Sequence, residues 1–335
     1  MKYINSPYKS ICPICSHFDN KLLYKVTSKE AAAQFLVTQN LSNDQHAVDI
    51  LDNKIAELWN GKIAGVVACG NCGFVFADPF IAGDYEFYNL IPHATAESPE
   101  IWKWEFDKTY KKITEIALAQ KDLNLIEIGA STGDFIKRIA HLISKKNILC
   151  LEHSEIGVKS IRKAGIEAHT WDFHDLISKK EFSKKFDIIC LFQVLEHLDK
   201  LEDTLKTFNF IAKPSAHLFI GVPNGEKIQF NEAHNALLDI PPNHIGRYNK
   251  KSFEYLGSRH GWEIEEVAVE PYTALDVMKT VMYSQSLKKL QYPATNPTTL
   301  DNIKQYIGIK YLRLRALFMH KYLGETLWVH FRKSD

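Results

Sequence analysis

The chain has no excess of charge of either sign and no long apolar run. Its 335 residues include 41 lysines and arginines against 40 aspartates and glutamates, for a formal net charge of +1. A general binder of phosphate backbones needs a basic excess, so we expect no nucleic-acid partner. No apolar run approaches the ~20 residues of a membrane span, and the opening segment contains no apolar signal-peptide core. We therefore expect a cytoplasmic protein without a membrane span.

Cysteine is scarce, and its placement is uneven. Six cysteines are too few to make a disulfide scaffold in a chain of this length. Four of them form two C-x-x-C pairs, namely Cys12 with Cys15 and Cys69 with Cys72. Four thiolates can hold a tetrahedral Zn²⁺, and a site without an open position is structural rather than catalytic. The long gap between the pairs leaves a redox pair or four reduced cysteines as alternatives.

From about residue 120 onward, short apolar runs alternate with segments of helical periodicity. The runs LNLIEIG, NILCLEHS, FDIICLF and AHLFIGVP predict strands, and WEIEEVAVE and TLWVHFRK predict two more. Strands that alternate with helices are typical of right-handed βαβ units, and nearly continuous apolar runs are typical of buried parallel strands. The pattern predicts an α/β fold with a doubly wound, mostly parallel sheet. Residues 273–323 have helical character and predict an insertion before the last strand.

A glycine turn follows the first of these strands, at residues 127–135 (EIGASTGDF). Such a turn lets a ligand approach the backbone at a helix N-terminus, and Glu152, after the next strand, can accept both hydroxyls of a ribose. The dinucleotide fingerprint requires glycine at three positions that Gly129, Ser131 and Asp134 occupy here. The Asp134 carboxylate would face a pyrophosphate. A cofactor without phosphates, such as S-adenosylmethionine, therefore suits the turn better.

The motifs IEIGASTGDF, LEHS, TWDFHDL, FDIICLFQVLEHL and FIGVPN occur in this order over about residues 100–270. As a set they resemble the motif series of class I S-adenosylmethionine-dependent methyltransferases. The resemblance implies a Rossmann-like domain with a seven-stranded sheet and S-adenosylmethionine as cofactor. It implies that Glu152 holds the ribose, that Asp172 and Phe173 flank the adenine, and that Phe192 and Gln193 lie beneath the methionine moiety. The full set of implied cofactor residues is Glu127, Gly129, Ala130, Gly133, Glu152, Asp172, Phe173, Phe192 and Gln193.

The N-terminal part carries a second resemblance. CPIC and VACGNCGFVFADP, together with the later PPNHIGRYNKKSFEYLGSRHGWEI, are similar to zinc-module methyltransferases of sugar, polysaccharide and natural-product pathways. This predicts a zinc-binding module at residues 1–85 and a methyltransferase domain at 86–335. The acceptor that the resemblance favours is a small molecule, with a sugar or nucleotide-linked sugar as the preferred class.

Two histidines are candidates for the general base that a hydroxyl or carbon-acid acceptor requires. His197 follows the fourth strand and His244 lies in the loop after the fifth, although each is equally compatible with a capping or packing role. Glu196 and His197 resemble a magnesium-binding arrangement of some related methyltransferases. Gln193 replaces a further acid of that arrangement, so we expect no metal there. Arg247, Lys250 and Lys251, which follow His244, are candidates for binding a substrate phosphate, and they are equally compatible with a solvated helix start.

Two alternatives belong to other functional classes. A nicotinamide-dependent oxidoreductase would use a similar glycine turn, and the carboxylate of Asp134 disfavours it. A non-catalytic binding or scaffold protein would keep the cofactor fold without turnover. The intact glycine turn and Glu152 argue against this second alternative.

Overall fold

The computed structural model describes residues 4–37, 41–91, 102–233, 239–279, 318 and 320–334. The strands in these ranges are β1 (Ser6–Lys9), β2 (Asp19–Thr27), β3 (Ile63–Cys69), β4 (Val75–Asp78), β5 (Leu125–Ile128), β6 (Ile148–Leu151), β7 (Glu167–His169), β8 (Phe186–Phe192), β9 (Ala212–Pro223), β10 (Gly246–Arg247), β11 (Trp262–Val269) and β12 (Thr326–Lys333). The helices are α1 (Ser28–Phe35), α2 (Gln45–Leu58), α3 (Tyr85–Leu90), α4 (Trp104–Ala119), α5 (Asp134–Ile139), α6 (Glu155–Lys163), α7 (Leu201–Ile211), α8 (Gly225–Ala233) and α9 (Lys250–His260).

A seven-stranded sheet has the order β11-β12-β9-β8-β5-β6-β7. The strands β5 to β9 pair in parallel, and β12 runs antiparallel between β9 and β11. Every residue of β8 is buried. Its alternate residues enter separate apolar clusters, with Ile188 and Cys190 in one and Ile189 and Leu191 in the other. Both faces of the sheet are therefore covered, which confirms the predicted doubly wound, mostly parallel architecture.

The helix after the glycine turn is shorter than the helical periodicity of its sequence. Helical periodicity extends from Gly133 to Lys145, whereas α5 ends at Ile139. Beyond it the chain bends, and the N–H groups of Leu142 and Ile143 both donate to the Ile139 carbonyl. The bend places Ile143 in the same apolar cluster as the start of β6, so tertiary packing limits the helix.

A second, five-stranded sheet has the order β1-β2-β3-β4-β10. Its last strand comes from the C-terminal half of the chain, with Gly246 opposite Phe76 and Arg247 opposite Val75. One apolar cluster includes Cys12 and Phe76 of this sheet region together with buried residues of β8, β9 and α9. The N-terminal sheet thus includes a strand from the C-terminal half of the chain and shares an apolar core with the larger sheet. The domain boundary at residue 85 stays a prediction.

A buried ion pair connects the N-terminal sheet region with the C-terminal half of the chain. The Arg247 guanidinium donates to both carboxylate oxygens of Glu232, at 2.9 and 2.6 Å, and to the Tyr24 hydroxyl at 2.8 Å. Tyr24 in turn donates to Glu232. Arg247 is only 5% exposed, so its charge is already matched inside the protein. This arrangement argues against the predicted phosphate contact by Arg247.

Most of the predicted insertion at 273–323 lies outside the described residues. Residues 274–279 are helical, and His320–Tyr322 forms a short 3-10 turn that precedes β12. None of the helices within the described ranges combines the length and apolar character that crossing a bilayer requires.

Candidate functional site

The glycine turn after β5 can be built only with glycine at its first position. Gly129 has φ +74°, and a Cβ there would lie 2.3 Å from Val194 Cγ2. The N–H groups of Gly129 and Ala130 both donate to the Leu151 carbonyl, at 2.8 and 3.2 Å, which ties the turn to the end of β6. Gly133, with φ +86°, then caps the N-terminus of α5. The turn is thus fixed to the end of β6 on one side and to the start of α5 on the other.

Glu152 is fixed beside this turn. One carboxylate oxygen accepts from the Ser131 N–H at 2.7 Å and the other from the Ser154 N–H at 2.8 Å. The structure therefore confirms the prediction that the glycine turn and Glu152 lie next to each other. Gly157, which sequence reasoning missed, makes the neighbourhood possible, because a Cβ there would lie 2.3 Å from the Ser131 carbonyl oxygen. The sequence signal that could have identified Gly157 is the presence of a glycine in the first turn of an otherwise amphipathic helix.

Glu127 lies in the interior of β5 and is 2% exposed. Its Oε2 atom has no hydrogen-bond partner in the part of the chain that the structure describes. Burial raises the pKa of Glu127 well above its usual value, and the charges of Glu152 and Asp134 raise it further. An ammonium group would supply the missing partner and favour the ionised carboxylate. These residues therefore fit a nucleoside that carries an amino-acid moiety, as S-adenosylmethionine does.

Asp172 and Phe173 follow β7 at the same edge of the sheet. Asp172 Oδ1 accepts from the His174 backbone N–H at 2.9 Å and lies 2.8 Å from His174 Nδ1. Phe173 is 5% exposed and stacks on Phe208, with ring centroids 6.0 Å apart. Both residues lie beyond the carboxyl ends of the strands, and their contacts with adenine stay a prediction.

Phe192 and Gln193 lie at the end of β8, the neighbour of β5 in the sheet. The Phe192 ring packs against both Phe106 and Phe135, with centroid distances of 5.1 and 4.9 Å. Gln193 has φ +58°, and its amide donates to Glu105 Oε1 at 3.2 Å. After β5 the next strands, β6 and β7, are added on one side of the sheet, whereas β9 is added on the other side after β8. Open α/β sheets bind ligands where the strand order reverses in this way, at the carboxyl ends of the two central strands.

A cluster of one carboxylate and two imidazoles lies immediately beyond Val194. Potential ligand atoms of Glu196, His197 and His244 all lie within 4.8 Å of one another. The two imidazole centroids are 4.7 Å apart, although the residues are far apart in sequence. Glu196 is 1% exposed, and both of its carboxylate oxygens lack a hydrogen-bond partner among the described residues. The structure thus brings together both histidines that the sequence singled out.

Both imidazoles of this cluster are oriented through Nδ1. His197 Nδ1 lies 2.8 Å from the Asn243 carbonyl oxygen and 2.9 Å from the Tyr88 hydroxyl. His244 Nδ1 lies 2.7 Å from Asp239 Oδ1. His197 Nε2 lies on the side of Glu196, 3.8 Å from Oε1. Sequence reasoning missed Asp239, because no local pattern marks it.

Burial and neighbouring charges set the protonation of the cluster. Burial lowers the pKa of His197 to about 3 and raises that of Glu196 to about 7. The pKa of His244 is raised: burial opposes the shift, and the Asp239 carboxylate outweighs it. The Lys103 ammonium is close enough to lower the carboxyl pKa of both Glu196 and Glu127, so the cluster and the glycine turn share one electrostatic environment.

The four cysteines of the N-terminal region also converge. Cys12 Sγ lies 3.7 Å from Cys72 Sγ, and Cys15 Sγ lies 3.4 Å from Cys69 Sγ. Sulfur atoms around one tetrahedral zinc ion are separated by about 3.8 Å, given Zn–S bonds of ~2.3 Å. The N–H groups of Asn71 and Cys72 point at Cys69 Sγ, both at 3.4 Å. The arrangement fits a Zn²⁺ site.

Helix α9 holds both cysteine turns from the other side. Arg259 donates to the Ile14 carbonyl between Cys12 and Cys15, and Lys251 Nζ donates to the Asn71 carbonyl at 2.6 Å. The Tyr255 hydroxyl and the Asn71 side chain are also hydrogen-bonded, at 3.0 Å. The cysteine cluster therefore contributes to the position of the helix that follows β10.

Comparisons with known proteins give one family match and several solved structures that are similar to this chain. A family described as "Methyltransferase domain" matches residues 101–267. The chain is similar to a SAM-dependent methyltransferase from Archaeoglobus fulgidus, at 15% identity and TM-score 0.45, covering 68% of this chain and 94% of that one. It is similar to N-methyltransferase NodS from Bradyrhizobium japonicum, at 11% identity and TM-score 0.38, covering 70% and 99%. It is also similar to an S-adenosylmethionine-dependent methyltransferase from Mesorhizobium loti, at 12% identity and TM-score 0.41, covering 68% and 100%. A search of curated proteins found no significant match.

The family match spans the glycine turn, the anchored carboxylate of Glu152 and the turn that carries Glu196 and His197. The match favours S-adenosylmethionine over a nicotinamide cofactor, a choice that the glycine turn alone had left open. The chain belongs to the S-adenosylmethionine-dependent methyltransferases, with a four-cysteine cluster in its N-terminal sheet region.

Proposed function

We propose that this enzyme methylates a small-molecule acceptor that binds between the glycine turn and the Glu196–His197–His244 cluster. The observation that carries the proposal is that the glycine turn and the cluster lie close together. Val194 contacts Gly129 of the turn and lies two residues before Glu196 of the cluster. A methyl donor held by the turn would thus face an acceptor held at the cluster. Alignment of the two reactants supplies much of the rate enhancement of such a transfer. The resemblance of the N-terminal region favours a sugar or a nucleotide-linked sugar as acceptor.

The proposed cofactor residues divide by what they offer. Glu127 supplies a buried carboxylate for the ammonium of the methionine moiety, and Glu152 supplies oxygens for the ribose hydroxyls. Asp172 and Phe173 bound the adenine, while Phe192 and Gln193 form the floor at the end of β8. The glycine turn supplies backbone rather than side chains, through Gly129, Ala130 and Gly133. S-adenosylmethionine, when bound there, supplies the activated methyl group.

On the acceptor side the proposed catalytic residues are His197 and His244. Their Nδ1 atoms are already engaged, so their Nε2 atoms are the groups that can act on the acceptor. Their side chains are 25% and 16% exposed, so an acceptor can reach them. Orientation of each imidazole by a carbonyl or a carboxylate matches the way in which functional histidines are held in the required tautomer.

The cysteine cluster is proposed to bind one structural Zn²⁺ through Cys12, Cys15, Cys69 and Cys72. Four protein ligands leave no open coordination position, and the contacts from α9 make the site part of the scaffold. Elemental analysis of the purified chain should find one equivalent of zinc, and Cys12→Ser with Cys69→Ser should remove it. Retention of a full equivalent by that double variant would reject these four ligands. The His217→Gln variant, outside the cluster, should keep its zinc.

The test of the function is a screen of acceptors, starting with sugar nucleotides, with S-adenosylhomocysteine release as the readout. We expect release with one acceptor class and its loss in the Glu152→Ala variant. Glu155→Ala, in the first turn of α6, is the matched control and should retain activity. Tight binding of S-adenosylhomocysteine without release for any acceptor would favour the non-catalytic alternative.

A further inference from the structure

We infer that Glu105 is a positioning residue, which orients the Gln193 amide and thereby makes the cofactor site selective for the positively charged sulfonium of S-adenosylmethionine. The inference rests on the proposed function in placing Gln193 beneath the methionine moiety. Glu105 lies in the first turn of α4 and is not one of the proposed cofactor residues. The product S-adenosylhomocysteine has a neutral thioether in place of the sulfonium, so two ligands of nearly the same shape can test this selectivity.

The Glu105 side chain lies directly over the carboxyl end of β9. It is 2% exposed, and a Cβ added at Gly221 of β9 would lie 3.2 Å from its Cγ atom. The absence of a side chain at Gly221 therefore leaves the space that Glu105 occupies. The Gly221 carbonyl also accepts from the Gln193 N–H at 2.8 Å. Glu105 and Gln193 thus meet at the ends of β8 and β9, next to the switch point of the sheet.

The carboxylate of Glu105 has only neutral partners among the described residues. Its Oε1 atom accepts from Gln193 Nε2 at 3.2 Å, and its Oε2 atom accepts from the Thr326 hydroxyl at 3.4 Å. No cationic side chain within the described ranges forms an ion pair with it. A buried charge without a counter-charge is costly. A positive charge bound close by would offset this cost.

A carboxylate at residue 105 permits only one orientation of the Gln193 amide. An ionised glutamate accepts hydrogen bonds and cannot donate them, so the NH₂ group of Gln193 must face Glu105. The Gln193 carbonyl oxygen then lies on the other edge of the amide, where it accepts no hydrogen bond from the described residues. A neutral amide at residue 105 could pair with either edge. The charge of Glu105 therefore keeps the Gln193 oxygen available to a ligand.

The backbone of Gln193 is held in an uncommon conformation as well. Its φ of +58° lies in the left-handed region, which residues with a Cβ seldom adopt. Such conformations persist where the surrounding structure enforces them, and they are concentrated at ligand sites. The residue is half-buried, so part of its side chain is accessible to a ligand. Backbone and amide are thus both fixed before a ligand binds.

The charges around this contact favour a cation. Burial raises the pKa of the Glu270 carboxyl, and the nearby charge of Glu105 raises it further. The Gln193 oxygen adds a partial negative charge, which can accept weak hydrogen bonds from the polarised C–H groups of a methylsulfonium. A sulfonium gains from both groups, whereas the thioether of S-adenosylhomocysteine carries no charge for them to attract. We therefore expect the site to distinguish the cofactor from its product by charge.

The experiment measures the affinities of the full chain for S-adenosylmethionine, sinefungin and S-adenosylhomocysteine by calorimetry, without an acceptor. Sinefungin carries an ammonium in place of the methylated sulfonium. We expect Glu105→Gln to bind both cationic ligands about tenfold more weakly, and to bind S-adenosylhomocysteine within about twofold of the unaltered protein. Glu115→Gln changes an exposed carboxylate of the same helix and should bind all three ligands normally.

Gln193→Met tests the same contact without altering the buried carboxylate. It should lower the ratio of S-adenosylmethionine affinity to S-adenosylhomocysteine affinity by about the same factor as Glu105→Gln. The double variant Glu105→Gln/Gln193→Met should lower this ratio no further, because Glu105 acts through Gln193. An unchanged ratio in Gln193→Met would overturn the inference, even if thermal unfolding showed that Glu105→Gln does not fold.

Equal weakening of all three ligands by Glu105→Gln would also overturn the inference, since it would show that Glu105 only supports the fold. A lowered affinity ratio in both single variants would support it. The acceptor screen is independent of these binding measurements. Absence of methylation with every acceptor, together with a lowered ratio in both variants, would reject the proposed function and leave the role of Glu105 in place.

Discussion

Replacement of Gly129 by alanine tests the geometry of the glycine turn with the fewest changed atoms. The substitution adds one methyl group at a residue with φ +74°, and that methyl would lie 2.3 Å from Val194 Cγ2. Two separate costs follow, one from the backbone conformation and one from the collision. The structure allows each to be measured on its own.

The backbone cost is about 1–2 kcal/mol, the usual difference for a residue with a Cβ in the left-handed region. The collision adds about 1–3 kcal/mol, the typical range for overpacking a filled interior. We therefore expect Gly129→Ala to lower the free energy of unfolding by about 2–5 kcal/mol. Urea denaturation followed by circular dichroism measures this quantity.

Gly261→Ala is the matched control. Gly261 has φ +71°, and a Cβ there meets no atom within 4 Å among the described residues. The free energy of unfolding of this variant should fall only by the backbone cost of about 1–2 kcal/mol. In the double variant Gly129→Ala/Val194→Ala the collision is removed, so its loss of stability should be smaller than the sum of the two single losses.

Affinity for S-adenosylhomocysteine separates the turn from the rest of the fold. We expect Gly129→Ala to bind it at least tenfold more weakly, which corresponds to about 1.4 kcal/mol, and Gly261→Ala to bind it normally. Equal losses of stability in Gly129→Ala and Gly261→Ala would refute the packing of Val194 on the turn. Unchanged affinity in Gly129→Ala would refute the assignment of the turn to the cofactor.

Arg247→Met should lower the free energy of unfolding by about 3–5 kcal/mol in urea denaturation, because the buried Glu232 carboxylate would lose the positive charge of Arg247. Lys250→Met, on the surface at the start of α9, should change it by no more than about 0.5 kcal/mol. Affinity for S-adenosylhomocysteine should rise with pH through the raised pKa of Glu127, since the ligand ammonium pairs with the ionised carboxylate. Calorimetry in buffers of different ionisation enthalpy should detect the released proton, and Glu127→Gln should bind more weakly and without this release; equal proton release in both proteins would contradict the role of Glu127. Chelation of the zinc proposed at the cysteine cluster should lower the Tm of the unaltered protein, and an unchanged Tm after complete zinc removal would show that the metal does not support the fold.

Local patterns in the sequence were sufficient for the sheet and for the cofactor turn. The run FDIICLF coincides with β8, because a strand buried on both faces needs apolar residues throughout. The glycines of the turn and Glu152 were predicted together, since the carboxyl ends of adjacent parallel strands lie at one edge of the sheet. The two C-x-x-C pairs were also visible, because each pair is a local motif.

Contacts between distant segments were decided by the tertiary structure alone. Strand β10 completes the N-terminal sheet, and Arg247 is paired with Glu232 and hydrogen-bonded to Tyr24, which argues against a contact with a substrate phosphate. Asp239 orients His244, and the fold brings His244 close to Glu196 and His197, which no spacing in the sequence predicts. The periodicity of a sequence shows which face of a helix or strand is buried. Which residues from a distant segment contact that face depends on how the helices and strands pack together. For that reason the amino acids alone determined a methyltransferase sheet with its glycine turn, and the folded chain determined which residues surround the proposed acceptor site.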